Sequence, residues 1–253
     1  MRIKIIAKKE YEGLKAIRKN FSESDDADIC LAVGGDGTFI RAAREFDGPI
    51  LPIRCSENGS VGYYSDISLD DVDTIVKSLK GRQYSIEKLA DKIELAYAGR
   101  RYHAVNEIVM NNALEEVGFR IYELGGGRRR RLYPYTMSGD GLLVTGLVGS
   151  TAYNKSAGGP IILSTGVLCI TFLNVDGPYR NPIIVGSDSI IEVEVVKYRG
   201  RLRYDGIELG TLRAGNTFRV KLSDKALKIV RLKNWGETFG EKLERIIRSR
   251  MQP

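Results

Sequence analysis

Two adjacent glycines, a carboxylate and a third glycine, Gly34-Gly35-Asp36-Gly37-Thr38, follow the apolar run from Ile29 to Val33. They precede a stretch from Phe39 to Phe46 whose apolar residues recur at helical spacing. The order is strand, turn, helix, which places the turn at the carboxyl end of a strand, where open α/β sheets bind their ligands. Paired glycines turn sharply and let a phosphate or ribose approach backbone N–H groups, and the helix N-terminus favours anions. A carboxylate at the centre of such a turn repels phosphate. Asp36 therefore needs another partner, either a hydroxyl whose proton it accepts or a metal ion carried in by a nucleotide. A glycine turn alone is a tight connection with no chemistry, and neither the Lys-Ser/Thr of a P-loop nor G-x-G-x-x-G is present.

The surrounding pattern repeats this order. Arg2 to Ala7 reads as a buried strand, Tyr11, Leu14, Ile17 and Phe21 as a helix face, Ser22 to Ala27 as a polar loop, and Pro49 to Arg54 as a further strand. Val72, Ile75, Val76 and Leu79 mark another helix ending near Gly81. From Tyr84 the pattern changes to strands and hairpins. The reading is an α/β N-terminal domain with an open parallel sheet over 1–84 and a predominantly β sandwich over 85–232. A C-terminal helix over 233–253 is expected to dock back on the first domain. With 253 residues, 43% of them hydrophobic, the chain can fill two cores.

Composition narrows the chemistry. Cys30, Cys55 and Cys169 are far apart and lack C-x-x-C spacing, and His103 is the single histidine, so no zinc site or disulfide framework is expected. The net charge of +7 suits polyanionic ligands such as nucleotides or polyphosphate, and would also suit nucleic acid. No apolar run is long enough to span a bilayer, and Met1 to Ala7 is too short and too charged for a signal peptide. A soluble, cytoplasmic protein without a membrane partner is expected.

Further polar stretches interrupt the apolar pattern. Asn106-Glu107 lies within an otherwise apolar strand; the pair can hold a ribose diol if the chain bends there, or else one side chain faces water and the other caps a turn. Ser138-Gly-Asp140-Gly and Gly149-Ser-Thr-Ala-Tyr-Asn-Lys-Ser156-Ala-Gly-Gly-Pro160 combine small and hydroxyl residues at a density suited to close approach by a nucleotide. Thr151 and Ser156 supply donors and Tyr153 a stacking face. Arg41, one helical turn past Thr38, either reaches a phosphate or faces solvent. Arg128 to Arg131 reads as a solvated hairpin loop or as a clamp on phosphate oxygens.

The GGDGT turn is shared by NAD kinases, lipid kinases and phosphofructokinases. With Asn-Glu and GSTAY…SAGGP in this order, nearly the whole chain is similar to the NAD kinases. The resemblance implies phosphorylation of the adenosine ribose 2′-hydroxyl of NAD, with ATP or polyphosphate as donor and Mg²⁺ or another divalent cation accompanying it. It implies Asp36 as the group that receives or orients the hydroxyl proton, and Asn106 and Glu107 on the nicotinamide-side ribose. Gly37, Ser138, Asp140, Thr151, Ala152, Tyr153 and Ser156 would contact the nucleotides, with Asp140 acting from a neighbouring subunit of a dimer or tetramer. The loop Asn58 to Asp66 resembles the family's N-x-G-x-L-G-F segment, with Tyr63 in the aromatic position. Leu147-Val148 stands where the family has Pro-Thr, and Asp205-Gly206-Ile207 where it has Asp-Gly-Gln. No protein-held metal site and no nucleic-acid partner are expected. The alternatives are a lipid kinase with the same turn and a nucleotide- or nucleic-acid-binding regulator without activity.

Overall fold

The computed structural model describes residues 1–55, 64–178, 180–233, 241, 244 and 248. The chain forms two compact units, one of Met1–Leu89 with Leu227–Pro253, the other of Ala90–Ala226. It leaves the first unit within the strand Tyr84–Tyr97 and returns within the strand Thr217–Leu232.

In the first unit, parallel strands lie in the order Ser22–Glu23, Arg2–Ala7, Ile29–Val33, Ile50–Arg54 and Ile67–Ser68. The end of Thr217–Leu232 also joins Ile50–Arg54 in parallel, with Ile229 opposite Ile50. Every residue of Ile29–Val33 is buried, as expected of a parallel strand covered on both faces. The helices Glu12–Asn20, Asp36–Glu45 and Val72–Lys80 alternate with the strands. Leu14, Ile17, Ile75 and Leu79 pack with Ile3, Leu31, Ile53, Val230 and Leu232 into one core. Ser22–Glu23 corrects the loop expected over Ser22 to Ala27. The two residues are exposed at the sheet edge, where nothing imposes an apolar alternation that would reveal a strand.

The second unit is a sandwich of antiparallel strands. One sheet runs in the order Ile183–Gly186, Val167–Leu173, Gly141–Thr145, Glu107–Asn111, Gly200–Tyr204 and Ile207–Leu212. The facing sheet contains Arg128–Arg131, Val117–Gly125, Ile190–Lys197 and the first part of Thr217–Leu232. Ile108, Leu142, Val144 and Ile170 of the one meet Phe119, Ile121, Val193 and Phe218 of the other in a single core. The expected architecture, a parallel-rich α/β layer followed by a β sandwich, is the one observed. The C-terminal helix expected over 233–253 lies outside the described residues except at Lys233, Glu241, Glu244 and Arg248.

Arg128–Arg131 is a strand, not a loop, paired along Val117–Gly125. Arg129 lies 3.2 Å from the Tyr122 ring centroid and donates to Glu192 at 2.8 Å, while Arg219 donates to the other Glu192 oxygen at 2.7 Å. Arg130 pairs with Glu123. These charges serve the sheet's own outer face. Burial would raise the Glu192 carboxyl, but the hydrogen bonds from Arg219 and Arg129 outweigh it and hold the group below its ordinary range. A depressed carboxyl stabilises the fold above its unfolded-state pKa and loses that effect as pH falls through the folded one. We therefore expect Glu192→Gln to cost about 2 kcal/mol at neutral pH. Thermal unfolding should show the variant and the parent converging as the solution is acidified below pH 4.5.

Candidate active site

In the first unit the glycine turn is shaped by its own helix. Gly34 has φ +153°, and a Cβ there would lie 2.4 Å from Thr38 Oγ1. Its N–H donates to Ile53 O at 2.8 Å, tying the turn to the neighbouring strand. Gly35 is the N-cap and Asp36 the first residue of the helix Asp36–Glu45, so an acidic residue stands in the first turn, where the helix leaves N–H groups without intrahelical acceptors. Asp36 Oδ1 accepts from Tyr64 N–H at 3.3 Å, and Tyr64 stacks on Phe39 with centroids 4.5 Å apart. Gly37 is exposed, with open space where a Cβ would stand. Arg41 is not a solvent-facing residue. Its guanidinium donates to Ala7 O, at the carboxyl end of the first strand, at 2.7 Å, and its Nε is buried with no acceptor among the described residues. Tyr63 lies outside the described residues.

In the second unit the chain bends at Val105-Asn106, between Arg100–Ala104 and Glu107–Asn111. This is the bend that lets two successive side chains escape strict alternation. A feature not foreseen holds it: the Asp205 carboxylate accepts from Val105 N–H at 2.9 Å, Asn106 N–H at 2.7 Å and Glu107 N–H at 3.3 Å. Asp205 and Gly206 have φ of +44° and +77° in the two-residue hairpin between Tyr204 and Ile207, the conformation that favours Asp-Gly. That dipeptide between two strand patterns was the available signal. From the other side, Thr145 Oγ1 donates to Asn106 O at 2.7 Å. A Cβ on Gly149 would come within 1.9 Å of the same carbonyl.

The bend leaves Asn106 Oδ1 and Glu107 Oε2 buried without a partner among the described residues. Native interiors rarely tolerate such atoms, and an accepting pair on adjacent residues suits hydroxyl donors of a ligand. Burial, followed by the nearby Asp205 charge, pushes the Glu107 carboxyl up to about 7. Gly149–Thr151 forms a 3₁₀ turn and Tyr153–Ser156 a single helical turn. Thr151 and Ala152 are partly buried, whereas Tyr153, at 41% exposure, and Ser156 face outward.

Ser138 and Asp140 are elsewhere. Gly141–Thr145 pairs antiparallel with Glu107–Asn111, so Thr145 lies opposite Glu107 while Gly141 lies opposite Asn111. Asp140 is thus just beyond the far end of that strand, about 17 Å along it from Thr145 at the usual strand rise. Its carboxylate accepts from Asn174 at 2.6 Å, and Ser138 Oγ donates to Glu116 at 2.8 Å. Within one chain these two residues do not join Asn106 and Glu107.

Two segments match family models: residues 3–84 the ATP-NAD kinase N-terminal domain, and residues 133–232 the ATP-NAD kinase C-terminal domain. The chain belongs to the NAD kinase family. It is 31% identical to an NAD kinase of Thermoplasma acidophilum over 81% of this chain and 74% of that one. It is 28% identical to an NAD kinase of Sulfurimonas denitrificans over 87% and 78%. In fold it is similar to an NAD kinase from Archaeoglobus fulgidus solved in complex with ATP (TM-score 0.73, 19% identity, 96% and 99% covered). It is likewise similar to yeast NADH kinase complexed with NADH (TM-score 0.77, 18% identity, 98% and 86% covered). Membership of the NAD kinase family makes the chain a phosphotransferase and excludes the lipid-kinase reading.

Two outcomes are expected. Gly149→Ala forces the Asn106 carbonyl to move, and a displacement of that size should lower kcat/KM for NAD about a hundredfold in steady-state assays. Because the Glu107 carboxyl is raised, its accepting, ionised form grows as pH rises through about 7. NAD affinity, followed by calorimetry, should strengthen through that range. Asp205→Asn, which keeps an acceptor but removes the charge, should move the midpoint to lower pH, and Glu107→Gln should flatten the profile.

Proposed function

We propose that the chain transfers the terminal phosphoryl group of ATP or polyphosphate to the 2′-hydroxyl of the adenosine ribose of NAD, giving NADP. The observation that carries this reading is the buried, unpartnered pair Asn106 Oδ1 and Glu107 Oε2 on a bend built to present them. A ribose offers two adjacent hydroxyl protons to such a pair. Thr151, Ala152, Tyr153 and Ser156 bind the dinucleotide along the 149–156 segment, with Tyr153 as the stacking face.

In the reaction the bond from the donor's terminal phosphorus to its bridging oxygen breaks as a bond to the 2′-oxygen forms, and the hydroxyl proton leaves toward Asp36. The transition state is loose in most analyses, so Asp36 acts mainly by orienting the hydroxyl in line with the phosphorus. Arg41 and the N–H groups around Gly37 offer positive charge to donor phosphates. The divalent cation, Mg²⁺ or another, travels with the donor and neutralises its oxygens. Among the described residues no group of three or more His, Cys, Asp or Glu side chains is arranged to hold a metal ion, and we assign none to it.

The separation of Asp140 and Ser138 from Asn106 and Glu107 supports a homo-oligomer, dimer or tetramer, in which these two residues contact a nucleotide held by another copy. No described helix is long and apolar enough to cross a membrane; we assign the enzyme to the cytoplasm, with no nucleic-acid partner.

The decisive test is Asp36→Asn. NADP formation with Mg²⁺ and either donor should fall by about 10³-fold, within the range for loss of a positioned acid–base group, while NAD still binds with parental affinity. Unchanged turnover in that variant would remove Asp36 from the mechanism, and the donor that supports turnover in the parent identifies the phosphate source.

A further inference from the structure

The segment from Gly149 to Pro160 contains only a 3₁₀ turn and a four-residue helix, too short to hold a conformation by their own hydrogen bonds. Something outside it must set its shape. Asn154, in its middle, is fully buried, in contrast to exposed Tyr153, Lys155 and Ser156 around it. Its side chain closes the segment on itself and fastens it to the sheet. Nδ2 donates to Pro160 O at 2.8 Å and reaches Ser150 O at 3.5 Å, and Oδ1 accepts from Thr171 Oγ1 at 2.6 Å. The two carbonyls only accept, so the amide nitrogen must face them and its oxygen must face Thr171.

Thr171 is itself buried in the strand Val167–Leu173, opposite Leu143, so the partner of Asn154 is a fixed point of the sandwich. Gly159 completes the fit, since a Cβ there would lie 2.1 Å from Asn154 Oδ1. Ser150 fastens the two ends of the same segment, donating to Leu147 O at 2.7 Å and accepting from Ile162 N–H at 3.1 Å.

We propose that Asn154, oriented by the Thr171 hydroxyl, is a positioning residue for dinucleotide binding: it fixes the 150–160 segment so that Thr151, Tyr153 and Ser156 face the ligand. Asn154 and Thr171 act through the segment and not by touching the nucleotide. The proposal rests on the reading that this segment binds NAD.

The test uses Thr171→Val, which keeps the shape and removes the donor, and Thr171→Ser, which restores it. With saturating ATP and Mg²⁺, Thr171→Val should raise the KM for NAD about tenfold with kcat within about twofold, and Thr171→Ser should return KM to within about twofold of the parent. Asn154→Asp, which sets a carboxylate against two carbonyls, should raise KM at least as far, and it serves as the measurement if Thr171→Val does not fold. A thermal midpoint lowered in these variants with an unchanged KM for NAD would overturn the proposal, leaving the pair a merely structural one. Tyr153→Ala and Ser156→Ala separate binding by the segment from its positioning. If they raise KM while the Thr171 and Asn154 variants do not, only the positioning role falls; if they too leave KM unchanged, the binding role of the whole segment falls with it.

Discussion

One carboxylate accepting from three successive backbone N–H groups determines the form of the bend that carries Asn106 and Glu107. Asp205 fills the donors of Val105, Asn106 and Glu107. A strand interrupted there would otherwise leave buried N–H groups without acceptors, at a cost of about 1–3 kcal/mol each. With the backbone satisfied, what is left over at the bend is on the side chains, where Asn106 Oδ1 and Glu107 Oε2 stay buried without a partner among the described residues. Burial does most to raise the Glu107 carboxyl, and the charge of the same Asp205 adds to it, so the group that shapes the bend also bears on its protonation.

Much of the fold was legible because it follows from periodicity. The strand Arg2–Ala7 and the helix Val72–Lys80 fall where apolar spacing placed them, and the change to a β pattern after Tyr84 marks a real change of architecture. What escaped was decided by partners distant in sequence. Arg128–Arg131 looks like a solvated loop until Tyr122, Glu123 and Glu192 are brought beside it, because a strand of four arginines is stable only on a surface that answers its charge. Phe218 to Leu222 and Leu227 to Leu232, two runs in the sequence, are one strand, since the polar residues between them interrupt the pattern without breaking the ladder.

The site was legible in its parts more than in its arrangement. The glycine turn with Asp36, the Asn106-Glu107 pair and the Gly149 to Pro160 segment could be named from residue types alone. Asp205 was legible as part of an Asp-Gly turn but not as the anchor of the bend, because that work is done on backbone atoms 98 to 100 residues away in sequence. The departures from the family pattern look smaller in this light. Leu147 and Val148 are buried, and the Leu147 carbonyl accepts from Ser150, an interaction that any residue can offer. Ile207 loses a polar side chain, but the Asp-Gly turn before it is intact.

The second unit is an insertion in the first, carried between the strands Tyr84–Tyr97 and Thr217–Leu232. Ile229 pairs with Ile50, and Val230 and Leu232 belong to the core that begins with Ile3. The first unit therefore lacks part of its sheet until the strand Thr217–Leu232 has emerged from the ribosome, whereas the sandwich has all its strands by Ala226. Synthesis from the N-terminus usually completes the leading domain first. Here the order inverts: the inserted sandwich can close while the glycine turn belongs to a sheet still waiting for its last strand, so the unit that begins the chain is the later to mature.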